Sequence, residues 1–520
     1  MQDLKLNYKR TIYIGLAFFL ITMFWQTYDG IIAKVLIDKF GMSQATSGVV
    51  MAIDNILAIF MLPLFGLLSD KTRSKLGKRT PFILIGTLIA AVAFVSLSFV
   101  DHKQTLVVQE AGIVEEYNRM YDEINRKDGM TKAEWNLVFY DEDFKYPELT
   151  KKYEVIASKY ADSDIINKFD QRDISDIYYN SLSNRAWEET RKDSKNLVMF
   201  IVLLFIVLVA MSLFRSPAVA LMPDVTLKPL RSKANAIINL LGSAGAVVSI
   251  GILTVFGLSK KSYVEYTPAF IATSIVMLVA LLIFMLKVKE NKFRDEYQEL
   301  SVKYGLEEKE DEEHTEKKVL TKAEKTSMLL ILMSVFFWYM GYNAVISKLS
   351  DYAPKQLNMD FALPLLVAQG AAIVSFIPIG ILSSKFGRKK MILFGVALLA
   401  ICFGSASFLT AHTGGILYII LALTGVAWAT INVNSFPMAV ELATGKDVGR
   451  FTGYYYAFSM AAQIITPIIS GLLMDKMQRS VLFPYAAFFV VLSFITMIFV
   501  KHGDVKIAKK GLLESFDVED

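Results

Sequence analysis

Apolar residues in this chain gather into twelve long runs separated by short charged stretches. In lipid an unpaired backbone amide is costly, so a run of about 20 apolar residues reads as a helix crossing a hydrocarbon core of roughly 30 Å. The runs fall at 11–37, 43–68, 81–100, 196–222, 234–257, 267–287, 326–347, 361–383, 390–411, 414–440, 450–473 and 482–501. The pattern predicts an all-α membrane protein of twelve transmembrane helices, split six and six by the charged stretch from Lys287 to Lys325. The expected units are a first bundle (1–100 with 196–288), an insertion (101–195), a central loop (289–325), a second bundle (326–502) and a tail (503–520).

Composition agrees with that segregation: the 520 residues are 54% hydrophobic yet carry 55 basic and 50 acidic side chains. Disorder is thereby excluded. A single cysteine, Cys402, removes disulfides and a thiolate metal site, and the four histidines (His102, His314, His412, His502) are scattered. No metal site is expected. The N-terminal MQDLKLNYKR runs into an apolar span without a small-residue cleavage site, so it reads as a retained first helix rather than a signal peptide.

Lys and Arg in short loops resist translocation and so set orientation. With the N-terminus inside, the short inner loops hold 14 (Lys71, Arg73, Lys75, Lys78, Arg79, Lys228, Arg231, Lys233, Lys385, Arg388, Lys389, Lys390, Lys446, Arg450). The short outer loops hold 7 (Lys39, Lys260, Lys261, Lys348, Lys355, Lys476, Arg479), which puts both termini in the cytoplasm of a cell-membrane protein. The insertion then lies outside, with 15 basic and 21 acidic residues. Its apolar positions (Val114, Tyr117, Met120, Tyr121, Ile124; Tyr153, Ile156, Tyr160, Ile165, Ile166) predict a small, mostly helical cap. That cap is either packing on the outer mouth or a domain that gathers substrate or binds a partner.

The halves echo each other. PLFGLLSDKTRSKLGKRTPFILIG (63–86) joins the second and third spans as PIGILSSKFGRKKMILFG (378–395) joins the eighth and ninth. Pro223, Asp224, Arg231 and Ala234 answer Val440, Glu441, Arg450 and Gly453 in the loops after the fourth and tenth spans. Duplicated bundles of this kind hold a solute at mid-membrane between them. Glycines such as Gly66 and Gly77 let helices approach, and an acid at one helix end facing arginines at another makes a latch. The expected latch pairs Asp70 with Arg79 and Asp224 with Arg231 on the cytoplasmic side of an outward-facing state, with Arg73 alongside and Arg388, Glu441 and Arg450 serving the second half. A surface ion pair is worth about 0 to 1 kcal/mol, so such a latch has to be a partly buried network. The other reading is that these basic residues only enforce topology.

Gly66, Ser69, Asp70, Lys71, Arg73, Gly77, Lys78 and Arg79 resemble the marker loop of the major facilitator superfamily. GLLSDKTRSKLGKRTPFI, with RSPAVALMPD (215–224), WYMGYNA (338–344) and GVAWATINVNSFPMAVE (425–441), is similar to the glycoside-pentoside-hexuronide cation symporters, especially the plant sucrose-type proton symporters and the animal solute carrier 45 group. The resemblance implies proton-coupled symport of a small glycoside, a sucrose- or maltose-like disaccharide.

Two acids fall inside spans, Asp29 and Asp54, roughly 12 Å and 17 Å below the outer helix ends at about 1.5 Å per residue. An ionisable group there is expensive and marks a coupling site. The resemblance supports Asp29, which lands where the solute carrier 45 group carries a glutamate. Melibiose-type sodium carriers place two acids one turn apart in the second helix, where Ala58 follows Asp54 here, which ranks H+ ahead of Na+ as coupling ion. The alternative for either acid is a fixed partner of a neighbouring amide or of a lysine such as Lys34. Arg215 sits inside the fourth span; sucrose-type carriers have an arginine after the equivalent of Pro217, where Val219 stands here. It either meets substrate or a carboxylate, or snorkels.

Aromatic and amide side chains at mid-helix depth offer flat faces and hydrogen-bonding forks for a polyhydroxylated ring. They are Trp25, Gln26, Tyr28, Asn55, Trp338, Tyr342, Asn343, Gln369, Trp428, Asn432, Asn434, Tyr455 and Gln463. No GxxxxGK[ST], HExxH or GxSxG motif is present, so neither an ATP-driven pump by that route nor an enzyme is expected. The expected partners are a small-molecule substrate and membrane lipid, with no nucleic acid, no cofactor and a monomeric chain. A proton-coupled antiporter exporting drugs or organic cations, a sodium-coupled glycoside symporter, and a sensor whose insertion binds ligand are the alternatives.

Overall fold

The structure, a computed structural model, describes residues 6–304, 321–442 and 448–502. In chain order the first half opens with α1 (Tyr8–Lys34), prolonged by a π-turn over Val35–Lys39, then α2 (Gln44–Lys71) and α3 (Thr80–Glu110). The insertion supplies α4 (Ile113–Ile124), α5 (Lys132–Phe139), α6 (Pro147–Ala157) and α7 (Lys168–Lys192). The first half resumes with α8 (Lys195–Asp224), α9 (Arg231–Val255) and α10 (Thr267–Lys287), and α11 (Glu290–Lys303) begins the central stretch. The second half contains α12 (Lys322–Leu357), α13 (Ala362–Phe386), α14 (Arg388–Ala406), α15 (Leu417–Val440), α16 (Val448–Met477) and α17 (Leu482–Ile498).

Twelve of these helices are long and apolar enough to cross a membrane, in the places the hydrophobic runs predict. Their outward faces carry apolar side chains such as Phe60, Val92, Phe99 and Val374, each at least 64% exposed, a surface that lipid accommodates and water does not. Within the first half α1 packs on α9 and α3 on α8 and α10; within the second, α13 and α14 pack on α15, and α12 on α16 and α17.

The halves meet through α1 with α12, α2 with α16 and α9 with α13. Gly48 of α2 lies against the carbonyl of Pro467, and Gly471 of α16 against that of Gln44, so the backbones cross without side chains between them. The crossing lies on the side of the insertion, opposite the face where α1 begins and α17 ends. Among the described residues, the hydrogen bonds that join the halves gather on this insertion face. Asp475 accepts from the amides of Gln44 and Ala45 at 2.8 and 2.9 Å, capping α2 from the other half, and Lys348 donates to the Gln44 carbonyl at 2.7 Å.

Several charges expected in outer loops are helical and buried. α12 runs ten residues beyond the predicted 347, carrying Lys348 and Lys355 with it, and these two, Lys39 and Arg479 are each at most 5% exposed. The insertion packs its own core from Tyr117, Met120, Tyr121, Ile124, Trp135, Tyr153 and Ile177, joined by Val108 of α3 and Tyr263 from the turn between α9 and α10. Ile165, expected among its apolar positions, is 59% exposed.

Candidate functional site

A cavity of about 870 Å³ lies between the halves. Its walls come from α1 (Phe18, Thr22, Gln26, Asp29), α9 (Asn239, Ser243), α12 (Tyr342, Ser350), α13 (Gln369, Phe376) and α15 (Trp428, Asn432). The α1 positions fall three or four residues apart and so share one helical face. Phe361 and Ser350 of the lining adjoin Asp360 and Asp351, members of the buried polar contacts that join the halves on the insertion face, so the molecule is closed on that side of the cavity.

Asp29 lines the cavity and has no hydrogen-bond or ion-pair partner among the described residues. Lys34, the alternative partner, points elsewhere and donates to the Lys261 carbonyl at 2.7 Å. Four amides, Gln26, Asn239, Gln369 and Asn432, surround the same space. Tyr342 stacks on Trp428 with centroids 6.2 Å apart, and Phe376 meets Trp428 edge-on at 6.1 Å. An aromatic wall facing a set of amide forks can hold a ring that presents both apolar faces and hydroxyls.

Of the expected site residues, six share this cavity: Gln26, Asp29, Tyr342, Gln369, Trp428 and Asn432. Asp54 instead belongs to a group inside the first half. It accepts from Asn55 at 2.8 Å and lies within electrostatic reach of Arg215, whose guanidinium is 5.7 Å from the Trp25 ring. Tyr28 and the Trp25 indole nitrogen are buried beside that group with no hydrogen-bond partner among the described residues, while Tyr28 and Asp54 remain electrostatically close to Asp29. Trp338 is 1% exposed, packed behind Tyr339 and Tyr342. The Asn343 amide nitrogen is buried without a partner among the described residues, Gln463 bonds back to the Ser459 carbonyl, Asn434 to that of Thr430, and Tyr455 to Ser435. Asn239, Ser243 and Ser350 were missed, because lone small polar residues in apolar spans carry no periodic signal.

In the terminal-face latch Asp70 pairs with Arg79 as expected, whereas Asp224 has a different partner from the expected Arg231. Asp224 pairs with Arg79 at 2.8 Å and with Lys78 at 3.1 Å. Arg231 instead donates to the carbonyls of Pro223 and Thr226, because the α9 start turns it toward the chain it has just left. Arg79 also meets Asp70 and Ser69 and lies near the Gly66 carbonyl; it is 5% exposed, but the Asp70 side chain is half exposed, so the network is partly buried. Arg73 is exposed. In the second half Arg388 meets Glu441, and Arg450 donates to the Tyr454 hydroxyl at 2.7 Å. These pairs close within one half each while the insertion face is shut. Here they join helices of the same bundle: α2, α3 and α8 in the first half, and α14 and α15 in the second.

Sequence reasoning also missed Glu290. Its carboxylate, 1% exposed, accepts from the amides of Lys78, Arg79 and Thr80 at 2.7 to 3.0 Å and from the Thr80 hydroxyl at 2.8 Å. It thus fills the N-terminus of α3, where unpaired amides and the helix dipole favour an anion. Gly77, at φ 120°, leaves room for it, since a Cβ there would collide with the Glu290 side chain. A lone acid in a charged stretch gives no hint of this in the sequence.

The model of a family described as the MFS_1 like family matches residues 24–485. No curated protein matches the chain. Among solved structures, a D-xylose-proton symporter aligns over 96% of this chain and 99% of its own at 12% identity and TM-score 0.55. A bacterial homologue of the iron transporter ferroportin in its inward-facing state aligns over 95% and 99% at 12% and 0.56, and the peptide transporter POT in complex with sulfate over 94% and 94% at 10% and 0.57. At such identities the likeness carries the fold: two six-helix bundles.

Proposed function

The chain belongs to the MFS_1 like family, and from that premise we propose that it is a secondary transporter working by alternating access, coupling proton movement to symport of a small glycoside. The observation that carries this reading is Asp29, an unpartnered carboxylate facing a cavity of about 870 Å³ among amides and aromatic rings. A carboxyl so placed can take up a proton when one mouth is open and lose it at the other, and its charge changes where solute binds. Pockets of about 300 to 1,000 Å³ suit ligands of disaccharide size.

The terminal face is the cytoplasmic one in this proposal, and the plasma membrane is its setting. Four of the seven basic residues counted in the outer loops, Lys39, Lys348, Lys355 and Arg479, are sequestered in buried contacts. Even with all seven counted, the terminal-face loops carry 14 basic residues against 7, the asymmetry expected of a cytoplasmic side.

The test is uptake into proteoliposomes. Wild type accumulates a labelled disaccharide under an acid-outside gradient, while Asp29→Asn retains exchange and loses accumulation; normal accumulation by that variant overturns the coupling role. A second reading has one favouring observation: among the described residues Asp29 is the single charged side chain on a largely apolar cavity wall, which also suits an organic cation moved in exchange for protons. Stabilisation of the purified protein by organic cations and not by glycosides selects that reading, because ligand binding to the folded state raises Tm.

A further inference from the structure

We propose that the insertion is a moving part of the outer gate, rooted in the first half and clasping the second half through Asp176. This rests on the alternating-access reading above. A line of alternating charges crosses the insertion face from α7 to α1. Asp176 accepts from the Arg479 Nη1 at 2.5 Å and from the Arg479 backbone amide at 3.0 Å. Arg479 Nε donates to Asp351 at 2.6 Å, Asp351 accepts from Lys355 at 2.6 Å, and Lys355 donates to Asp38 at 2.5 Å. All five side chains are at most 2% exposed. Asp351, Lys355 and Arg479 belong to the second half; Asp38 ends α1, and Asp176 belongs to the insertion. Separation of the halves therefore breaks the two outer links and leaves the inner three together.

The two attachments of the insertion differ in kind. Toward the first half it shares an apolar core that includes Val108 and Tyr263. Toward the second half the described links are polar: Asp176 and Asn180 to Arg479, Arg172 to the carbonyls of Ser407 and Leu409, Gln356 to Asp176, and the Tyr121 hydroxyl to Asn358. Water can replace a polar contact when a mouth opens, whereas parting an apolar core exposes surface with no compensation. The plane of separation thus runs between the insertion and the second half, and the insertion travels with the first. Neutralising one member strands its partner's charge in the closed state and lets it hydrate in the open one, so the closed outer gate loses ground.

The test follows a reporter thiol on the cavity wall, Ser243→Cys in the full-length chain with Cys402→Ser, reconstituted in liposomes. A membrane-impermeant maleimide is applied from the insertion side or from the terminal side. Asp176→Asn should raise the labelling rate from the insertion side at least tenfold and lower it from the terminal side, Asp176→Glu should restore most of the wild-type ratio, and Asp162→Asn, on the exposed surface of the insertion, should change neither. If Asp176→Asn does not fold, Asn180→Ala, which removes the 2.8 Å bond to Arg479, should give a smaller shift in the same direction. Equal labelling ratios in wild type and Asp176→Asn, when acid or saturating disaccharide does open the wild type to the insertion side, overturn the gate role and leave transport standing. A wild type that no condition opens to that side overturns alternating access itself, and the gate with it.

Discussion

Placing a methyl group on Gly48 tests whether the crossing of α2 and α16 belongs to one state of the molecule or to its permanent core. A Cβ there would overlap the Pro467 carbonyl, with the Ile468 nitrogen only 3.1 Å away. The clashing atoms are backbone, which cannot swing aside. Overpacking of this kind costs about 1 to 3 kcal/mol, which corresponds to roughly a 5- to 150-fold change in an equilibrium between two states. The cost falls on the state closed at the insertion face, because the helices part there when that face opens. Gly48→Ala should accordingly populate the form open toward the insertion. Spin labels on Lys260 and Ala411, exposed positions in opposite halves at that face, should show a longer distance whose population grows by that factor. An unchanged distance distribution accompanied by a lowered Tm would refute the argument, since the crossing would then be ordinary permanent packing.

Glu290→Ala removes an acceptor serving three amides and a hydroxyl at the start of α3; about 1 to 3 kcal/mol is expected to be lost, read as a lower Tm and faster proteolysis in the 72–79 loop. Trp428→Ala should weaken disaccharide binding at least tenfold in a titration, whereas Trp338→Ala, behind the cavity wall, should lower Tm with a smaller effect on affinity. In the insertion, the Arg126 guanidinium and the Thr131 amide hold the Glu134 carboxyl down to about 2 from an ordinary value of 4.5. A carboxyl lowered on folding stabilises above its unfolded pKa and loses that contribution as pH falls through the folded one, so the protection factors of amides at the start of α5, with the intrinsic pH dependence of exchange divided out, should fall between pH 4.5 and 2 and stay flat from 5 to 7.

The twelve spans were legible because lipid leaves one solution for an apolar run of that length, and the predicted ends of α10 coincide with the observed ones. Ends went astray where a span continues in protein rather than in water. In α12, Lys348, Asp351 and Lys355 look like loop residues by polarity, yet their spacing of three, four and seven keeps them on one helical face, and that face is buried against the first half. The cavity was half legible. Asp29 stood out as a charge in an apolar run; Asp54 stood out equally, and which of them faces the cavity depends on the rotation of each helix within its bundle, which hydropathy does not encode. Asp70 meets Arg79 as expected, while the partner of Asp224 was misjudged for a related reason: Arg79 and Arg231 both lie near it, and the direction in which α9 leaves its turn decides between them.

At the insertion-face end of α1, the π-turn over Val35–Lys39 gives two adjacent residues opposite allegiances. Lys39 is riveted at home, to Asp101 at 2.5 Å and Thr105 at 2.7 Å on α3, while Asp38 reaches across to Lys355. A π-turn holds one residue more than the α-helical turn it replaces, and that extra residue is what lets both neighbours turn inward. Trimming a single residue from this stretch would swing Asp38 by about 100° around the helix axis, away from its counterpart, without altering any charge in the protein. What the end of this helix contributes is thus a matter of phase, and a one-codon deletion there would be more damaging than most substitutions.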